Sequence, residues 1–433
     1  MPSRDVLRSF IYGVSVCAFW SGTLAAIAAD ENPSDWPQWR GPNRTGISRE
    51  QGLLKSWPKP GPSLAWKATG VGGGYSTPSV AAGRVFGMGY RGDNEIVWAL
   101  DAKSGKELWA TRIAKANRGV GYGEGSRSSP TVDGKQLYVL GVSGDLVCLD
   151  TTDGKEVWHR NLVGDFGGNI PGWGYSESPL VDGDQVIATP GGRNATLLAL
   201  AKKTGEVSWK SQVPQGDSAH YSSAIAAEVS GWRQYIQFMQ GGVVGVAAKD
   251  GTFLWRYDRP ANGTANCSTP ICADNHVFAA SGYGTGGGLV KLTNRGDVVS
   301  ANEVYFTNQM KNHHGGMILF GEHLYGFDEA VLTCMRFTTG KVVWENRSVG
   351  KGSIVLADGH LYARSEGGPV ALIEATPNGY VEKGRFNQPN RSGQNAWPHP
   401  VVAGGRLYLR DQDLLLCYDV KGSGTQAKNV KAR

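Results

Sequence analysis

The chain has 433 residues and a formal net charge of +6, with its charges scattered through short turn segments, so no basic stripe marks it as a nucleic-acid binder. Sixty-two glycines, 14 tryptophans and no sustained 3.6-residue apolar periodicity beyond the extreme N-terminus exclude a helical bundle and favour a turn-rich all-β protein. Length alone allows two or three domains, but one unit repeats from Leu64 to Tyr418 and makes a single large one.

The N-terminus carries Arg4 and Arg8, the apolar runs Phe10 to Trp20 and Leu24 to Ile27, and small residues through Ala29. Residues 1–29 read as a secretory signal cleaved after Ala28 or Ala29, which implies a periplasmic or secreted protein with no membrane span after cleavage. An uncleaved anchor is the rival reading, because the stretch nears spanning length but is interrupted by Ser21, Gly22 and Thr23. Residues 30–62 contain Trp36-Pro37-Gln38-Trp39-Arg40-Gly41-Pro42 and are expected to pack across one mouth or flank of the repeat domain.

From residue 63 to 420 the repeat dominates. A glycine followed four residues later by tryptophan occurs at Gly105 and Trp109, Gly154 and Trp158, Gly205 and Trp209, Gly251 and Trp255, and Gly340 and Trp344. Units of roughly 40 to 50 residues holding several short strands are propeller blades. Extending the tryptophan phase places further slots at Trp66, Ser300 and Lys383, eight in all, and eight strand-opening segments match them, from Thr77-Pro78 to His399-Pro400. The sequence therefore predicts an eight-bladed β-propeller of four-stranded blades. The last blade lacks an outer strand of its own, so Ser63-Leu64-Ala65-Trp66 is expected to pair into it and close the ring.

The glycines supply positive φ in the turns, and the tryptophans cover gaps between blades on the outer strands. Cys148, Cys334 and Cys417 share a packing slot with Ala99, Ala199, Gly245 and Ala371 and read as core thiols. Cys267 and Cys272, placed on one strand and facing opposite ways, do not suit a disulfide. Residues 421–433 form a basic tail expected to be disordered. The protein is expected to be a monomer.

In a propeller the residue just before each innermost strand lies at one mouth of the axial channel. Collected blade by blade, these are Tyr75, Arg127, Tyr175 with Glu177, His220 with Tyr221, Asn266, His313 with His314, Lys351, and Trp397 with His399. Such a ring suits a polar ligand. The four imidazoles admit a metal reading or a hydrogen-bonded wet funnel, and His313-His314 is the unusual run because neighbours on a strand would face opposite ways. Glu177 is a candidate base or ion ligand, or the partner of Arg127 in an ion pair. The spaced glycines of Gly119 to Gly125 have no helix after them and do not form a phosphate loop, whereas Gly282 to Gly288 reads as a hairpin that lines the mouth through Tyr283.

The runs Ala99-Leu100-Asp101-Ala102-Lys103-Ser104-Gly105-Lys106-Glu107-Leu108-Trp109 and Cys148-Leu149-Asp150 to Trp158 resemble the tryptophan-docking repeat of the pyrroloquinoline-quinone-like propellers, over most of the chain after the signal. The resemblance implies one of two functions. One is an exported propeller that binds an unidentified small molecule or protein at the channel mouth. The other is a quinone- and calcium-dependent oxidoreductase acting on an alcohol or sugar. There Trp397 or Tyr75 would be the stacking platform, Glu177 and Asn266 calcium ligands, and His220 or His313 would assist proton transfer, with Arg127, His314, Lys351 and His399 completing the cofactor ring. The chain lacks the adjacent cysteine pair of the quinoprotein dehydrogenases and any haem motif, and the binding reading is the one adopted.

Overall fold

Antiparallel pairing of consecutive short strands builds each blade. Thr131–Asp133, Gln136–Leu140, Asp145–Asp150 and Glu156–Asn161 lie side by side in chain order, from the axis outward. Eight such four-stranded sheets form the computed structural model, which describes residues 32, 34–214, 216–229, 231–296 and 298–422. The signal-like residues 1–29 and nearly all of the basic tail lie outside the described residues. Among the described residues there is no helix. The ring closes as expected: Ser63–Thr69 pairs antiparallel with Leu414–Asp419, with Trp66 opposite Cys417.

The glycine and tryptophan period sets the joint between blades. Trp109 Nε1 donates to Thr151 O of the next blade at 3.1 Å, and Gly154 lies flat on the same indole. Trp158 and Lys202 O (2.9 Å), Trp209 and Ala248 O (3.1 Å), and Trp66 and Ala102 O (3.1 Å) repeat the contact. Opposite each indole sits a small residue, as in the pairs Ala99 with Trp109 and Cys148 with Trp158, so the thiols are buried for packing, and all five described cysteines are free. At Gly205 φ is +69° and a Cβ would approach the Trp158 ring at 2.8 Å, whereas Gly183, at +57°, has open space. Gly205→Ala is therefore expected to lower stability by ~1–2 kcal/mol, and more than Gly183→Ala, in chemical denaturation. Equal effects would leave the indole contact without a role.

Two slots differ from the sequence reading. In the fifth blade the hairpin Gly286–Arg295 and Val298–Thr307 is longer than in its neighbours, so the residue opposite Leu289 is Tyr305 and not Ser300. The Tyr305 hydroxyl donates to Phe337 O at 2.7 Å and its ring meets Gly340, which is the tryptophan's task done by a phenol. The lengthened hairpin also pairs Leu292 with Ala301 inside the sheet, leaving no free turn for Trp255, whose indole folds back to Gln234 Oε1 at 2.5 Å. In the seventh blade Arg385, not Lys383, stands opposite Ala371.

Residues 36–48 cross the axis and touch the inner strand or its approach in every blade. Trp36 N donates to Val80 O (2.7 Å), Val132 N to Pro37 O (2.8 Å), and Arg44 Nη1 to Ser178 O (3.1 Å) and Ala224 O (2.9 Å). Trp39 Nε1 donates to Thr269 Oγ1 (2.9 Å), Arg40 Nη2 to Met317 O, Ser48 N to Leu356 O (2.7 Å) and Ser48 Oγ to Val402 O (2.9 Å). Inner strands have unpaired carbonyls facing the channel, and this segment satisfies them. It plugs one side of the channel and makes the other a blind cup.

Candidate functional site

Above the plug, the connections that enter the inner strands converge on a cavity of about 120 Å³. Its floor is Trp39, whose ring meets that of His399 at 4.5 Å. Its wall is a nearly continuous run of rings. Tyr221 stacks on Trp173 (4.9 Å, 25°), Tyr122 meets the edges of Trp173 (5.6 Å) and Trp397 (4.7 Å), and Tyr75 lies against Trp397 at 4.6 Å. His314 follows Trp397 at 6.0 Å, His313 is 5.3 Å from His314, and Tyr283 closes the run 4.9 Å from His313. Tyr122 and Tyr283, 46% and 49% exposed, form the rim.

Six of the residues collected as the axial ring line this cup: Tyr75, Arg127, Tyr221, His313, His314 and Trp397. Arg127 is bent back into its own loop, donating to Gly121 O (2.6 Å), Gly125 O (3.0 Å) and Tyr122 O, with its guanidinium 5.7 Å from the Tyr75 ring centre. It shapes the Gly119 to Gly125 loop that carries Tyr122, and the expected alternative of an Arg127–Glu177 ion pair is not formed. Lys351 lies beside the cup, with Nζ 3.6 Å from Glu366 Oε1.

The other ring residues sit elsewhere. Glu177 is 3% exposed; it accepts from Thr189 N and from Gln237 Nε2 (2.9 Å). Burial pushes its carboxyl up to about 7, against the pull of Thr189 and of Arg44 from the plug. Asn266 is fully used: its amide nitrogen donates to Met239 O and Gln240 O, both at 2.9 Å, and its oxygen accepts from Asn262 N at 3.0 Å. His220 Nδ1 accepts from Asn266 N at 3.0 Å, so its proton is on Nε2, and burial lowers its pKa to about 4. His399 lies beneath the cup with Nε2 donating to His314 O at 2.7 Å, and burial, then nearby Arg40, lowers it to about 3. Tyr175 is buried, its hydroxyl donating to Pro190 O at 2.8 Å.

His313 and His314 turn to the same side because residues 308–316 form no strand, contrary to the strand geometry expected of them. Burial, then His314 and Lys351, lowers His313 to about 3, so it is a neutral imidazole. His314 Nε2 donates to Glu366 Oε1 at 2.7 Å, and Trp397 Nε1 donates to the same oxygen at 2.7 Å. Burial disfavours the Glu366 carboxylate, but these donors and Lys351 outweigh it and hold its pKa at about 2. Cys267 also lines the cup, some way before the inner strand Ile271–Ala273 that holds Cys272, and burial pushes its thiol up to about 12, which makes it unreactive.

Glu366, Trp173 and Tyr122 were not among the expected site residues. Glu366 and Tyr283 both follow the second strand of a blade, His360–Ser365 and His276–Ser281. A four-stranded meander returns to the mouth at that turn, so the turn between second and third strands was the signal to read beside the first-strand approach. Trp173 and Tyr122 sit deep in long connections, where the repeat gives no register.

The fold and the cup define the class: a ring-closed, eight-bladed β-propeller of the pyrroloquinoline-quinone-like, tryptophan-docking type. Residues 93–346 match the family described as outer membrane protein assembly factor BamB, and the chain belongs to that family. No curated protein sequence matches it. Among solved structures it is similar to BamB from Moraxella catarrhalis, 15% identical over 80% of this chain and 94% of that one, with a TM-score of 0.56. It is also similar to the quinohemoprotein alcohol dehydrogenase from Comamonas testosteroni, 14% identical over 90% of this chain and 81% of that one, with a TM-score of 0.63. At these identities the likeness speaks for the fold alone.

Proposed function

We propose that the protein is an exported propeller that binds a small ring-shaped ligand in the aromatic cup. The observation that carries this reading is the convergence of Trp39, Trp173, Trp397 and their tyrosine neighbours on one blind cavity. Broad π-faces with hydroxyls at their edges suit a ligand with apolar faces and a polar rim, such as a sugar ring, and concave aromatic pockets with a few convergent polar groups are the usual form of a small-molecule site. Export rests on the signal-like residues 1–29.

The quinone and calcium reading has less support. The two groups that would hold the ion, Glu177 and Asn266, are each consumed by buried hydrogen bonds and line no part of the cup. The residues present do not fit that cofactor.

Intrinsic tryptophan fluorescence and calorimetric titration with a panel of mono- and disaccharides test the proposal, with pyrroloquinoline quinone plus calcium as the comparison. Saturable binding of a sugar is expected, weakened at least about tenfold in Trp397→Ala because a stacking face is lost. Saturable quinone binding with dye reduction on an alcohol or sugar would replace this reading by the oxidoreductase one. Silence from the whole panel would remove the ring-ligand class.

A further inference from the structure

The wall of the cup contains a set of unused donor atoms. His313 is sheltered, yet neither Nδ1 nor Nε2 has a hydrogen-bond partner among the described residues, and His314 Nδ1 has none either. A buried polar atom without a partner is costly, and neutral imidazole is the commonest metal ligand. One donor atom from each of His313, His314 and Glu366 lies within 4.8 Å of the others. His314 Nε2 and Glu366 Oε1, 2.7 Å apart, are spaced as neighbouring ligands of one ion, so an entering cation takes the place of the proton they share and releases it.

We propose that His313, His314 and Glu366 bind one divalent transition-metal ion, of which zinc is the natural representative, in the wall of the cup. Two imidazoles and one carboxylate are a borderline donor set that suits zinc, cobalt or nickel better than calcium or magnesium. Three protein ligands leave an open position, and the cavity that His313 and His314 line is where it faces. A hydroxyl or carboxylate of a bound ligand would complete the coordination there. Lys351, 3.6 Å from Glu366 Oε1 and one third exposed, must swing outward as the ion enters. The ion site stands independently of which ring ligand the cup accepts, so metal uptake without sugar binding separates the two.

The test uses the mature full-length chain purified without a polyhistidine tag, stripped with a chelator and titrated with Co²⁺ and Zn²⁺. One ion per chain is expected, with a visible cobalt band of four- or five-coordinate intensity and an X-ray absorption signature of two imidazoles. His313→Ala and Glu366→Gln should each weaken Zn²⁺ binding by roughly a hundredfold or more, since loss of even an outer partner costs 10- to 100-fold. Lys351→Ala should tighten it by roughly tenfold through removal of a nearby positive charge, while His276→Ala should leave it unchanged. Absence of stoichiometric uptake, a spectrum without two imidazoles in the native chain, or uptake indifferent to His313→Ala and Glu366→Gln would overturn the site. Because the spectrum is read on the unaltered chain, a variant that fails to fold does not rescue the proposal.

Discussion

Replacing Arg44 with alanine is expected to lower the stability of the whole propeller by ~3–5 kcal/mol, read as a downward shift of its urea or guanidinium midpoint. The guanidinium is 4% exposed, and four of its five N–H donors are spent, three on the channel and one within the plug: Nη1 on Ser178 O and Ala224 O, Nη2 on Pro179 O, Nε on Gln38 Oε1 at 2.8 Å. Truncation strips carbonyls of two different blades of their donor and leaves Glu177 without its cation. It also frees the segment that holds Trp39 in the floor of the cup. Arg44→Lys should recover part of the loss, because it restores charge but not the forked geometry, and Arg44→Met should recover less, because it restores only volume. A loss below ~1 kcal/mol for Arg44→Ala would mean that the plug merely rests on the channel.

This plug also marks where sequence reading stops. The repeat was legible because Gly-x-x-x-Trp joins a local backbone need to a contact between successive blades, so one short pattern reported strand order, blade number and even the closure at Trp66. It failed where another residue occupies the tryptophan's slot. Tyr305 and Arg385 have no glycine at the required spacing, and phase alone pointed to Ser300 and Lys383 instead. The cup was half legible for a similar reason. Tyr75, Arg127, His313, His314 and Trp397 face it because each precedes an inner strand closely, whereas Glu177, His220 and Asn266 hold the same phase but turn into the walls to satisfy backbone and side-chain partners. Rotation about the axis is a property of rotamers and neighbours and leaves no trace in spacing. Arg44 shows the same limit at longer range, since its partners lie 134 and 180 residues away.

The buried titratable groups lead to a second large effect, a stability that declines gently from pH 6.5 to 4.5 and steeply below. His220, His313 and His399 have folded pKa values of about 4, 3 and 3 against an ordinary 6.5. As pH falls below 6.5 the unfolded chain binds protons that the folded chain refuses, so each imidazole costs ~1.4 kcal/mol per pH unit until its folded pKa is reached. Glu95 and Glu177 act in the opposite sense. Burial raises both to about 7 from 4.5, so across the same interval the folded chain keeps protons that the unfolded chain has released, and stability rises as pH falls. Three groups against two leave a net slope of roughly one, ~1.4 kcal/mol per unit. Below 4.5 the two glutamates are protonated in both states and cease to oppose. Glu366, held at about 2, then joins the losing side, because its unfolded form takes the proton first. Chemical denaturation in steps from pH 8 to 3 should therefore show a break near 4.5. Glu95→Gln removes one opposing group while Ser126 and the Val142 amide keep an acceptor, so it should steepen the upper segment by about one proton's worth. An upper segment left unchanged by Glu95→Gln would show that this carboxyl is already ionised in the folded chain across that interval.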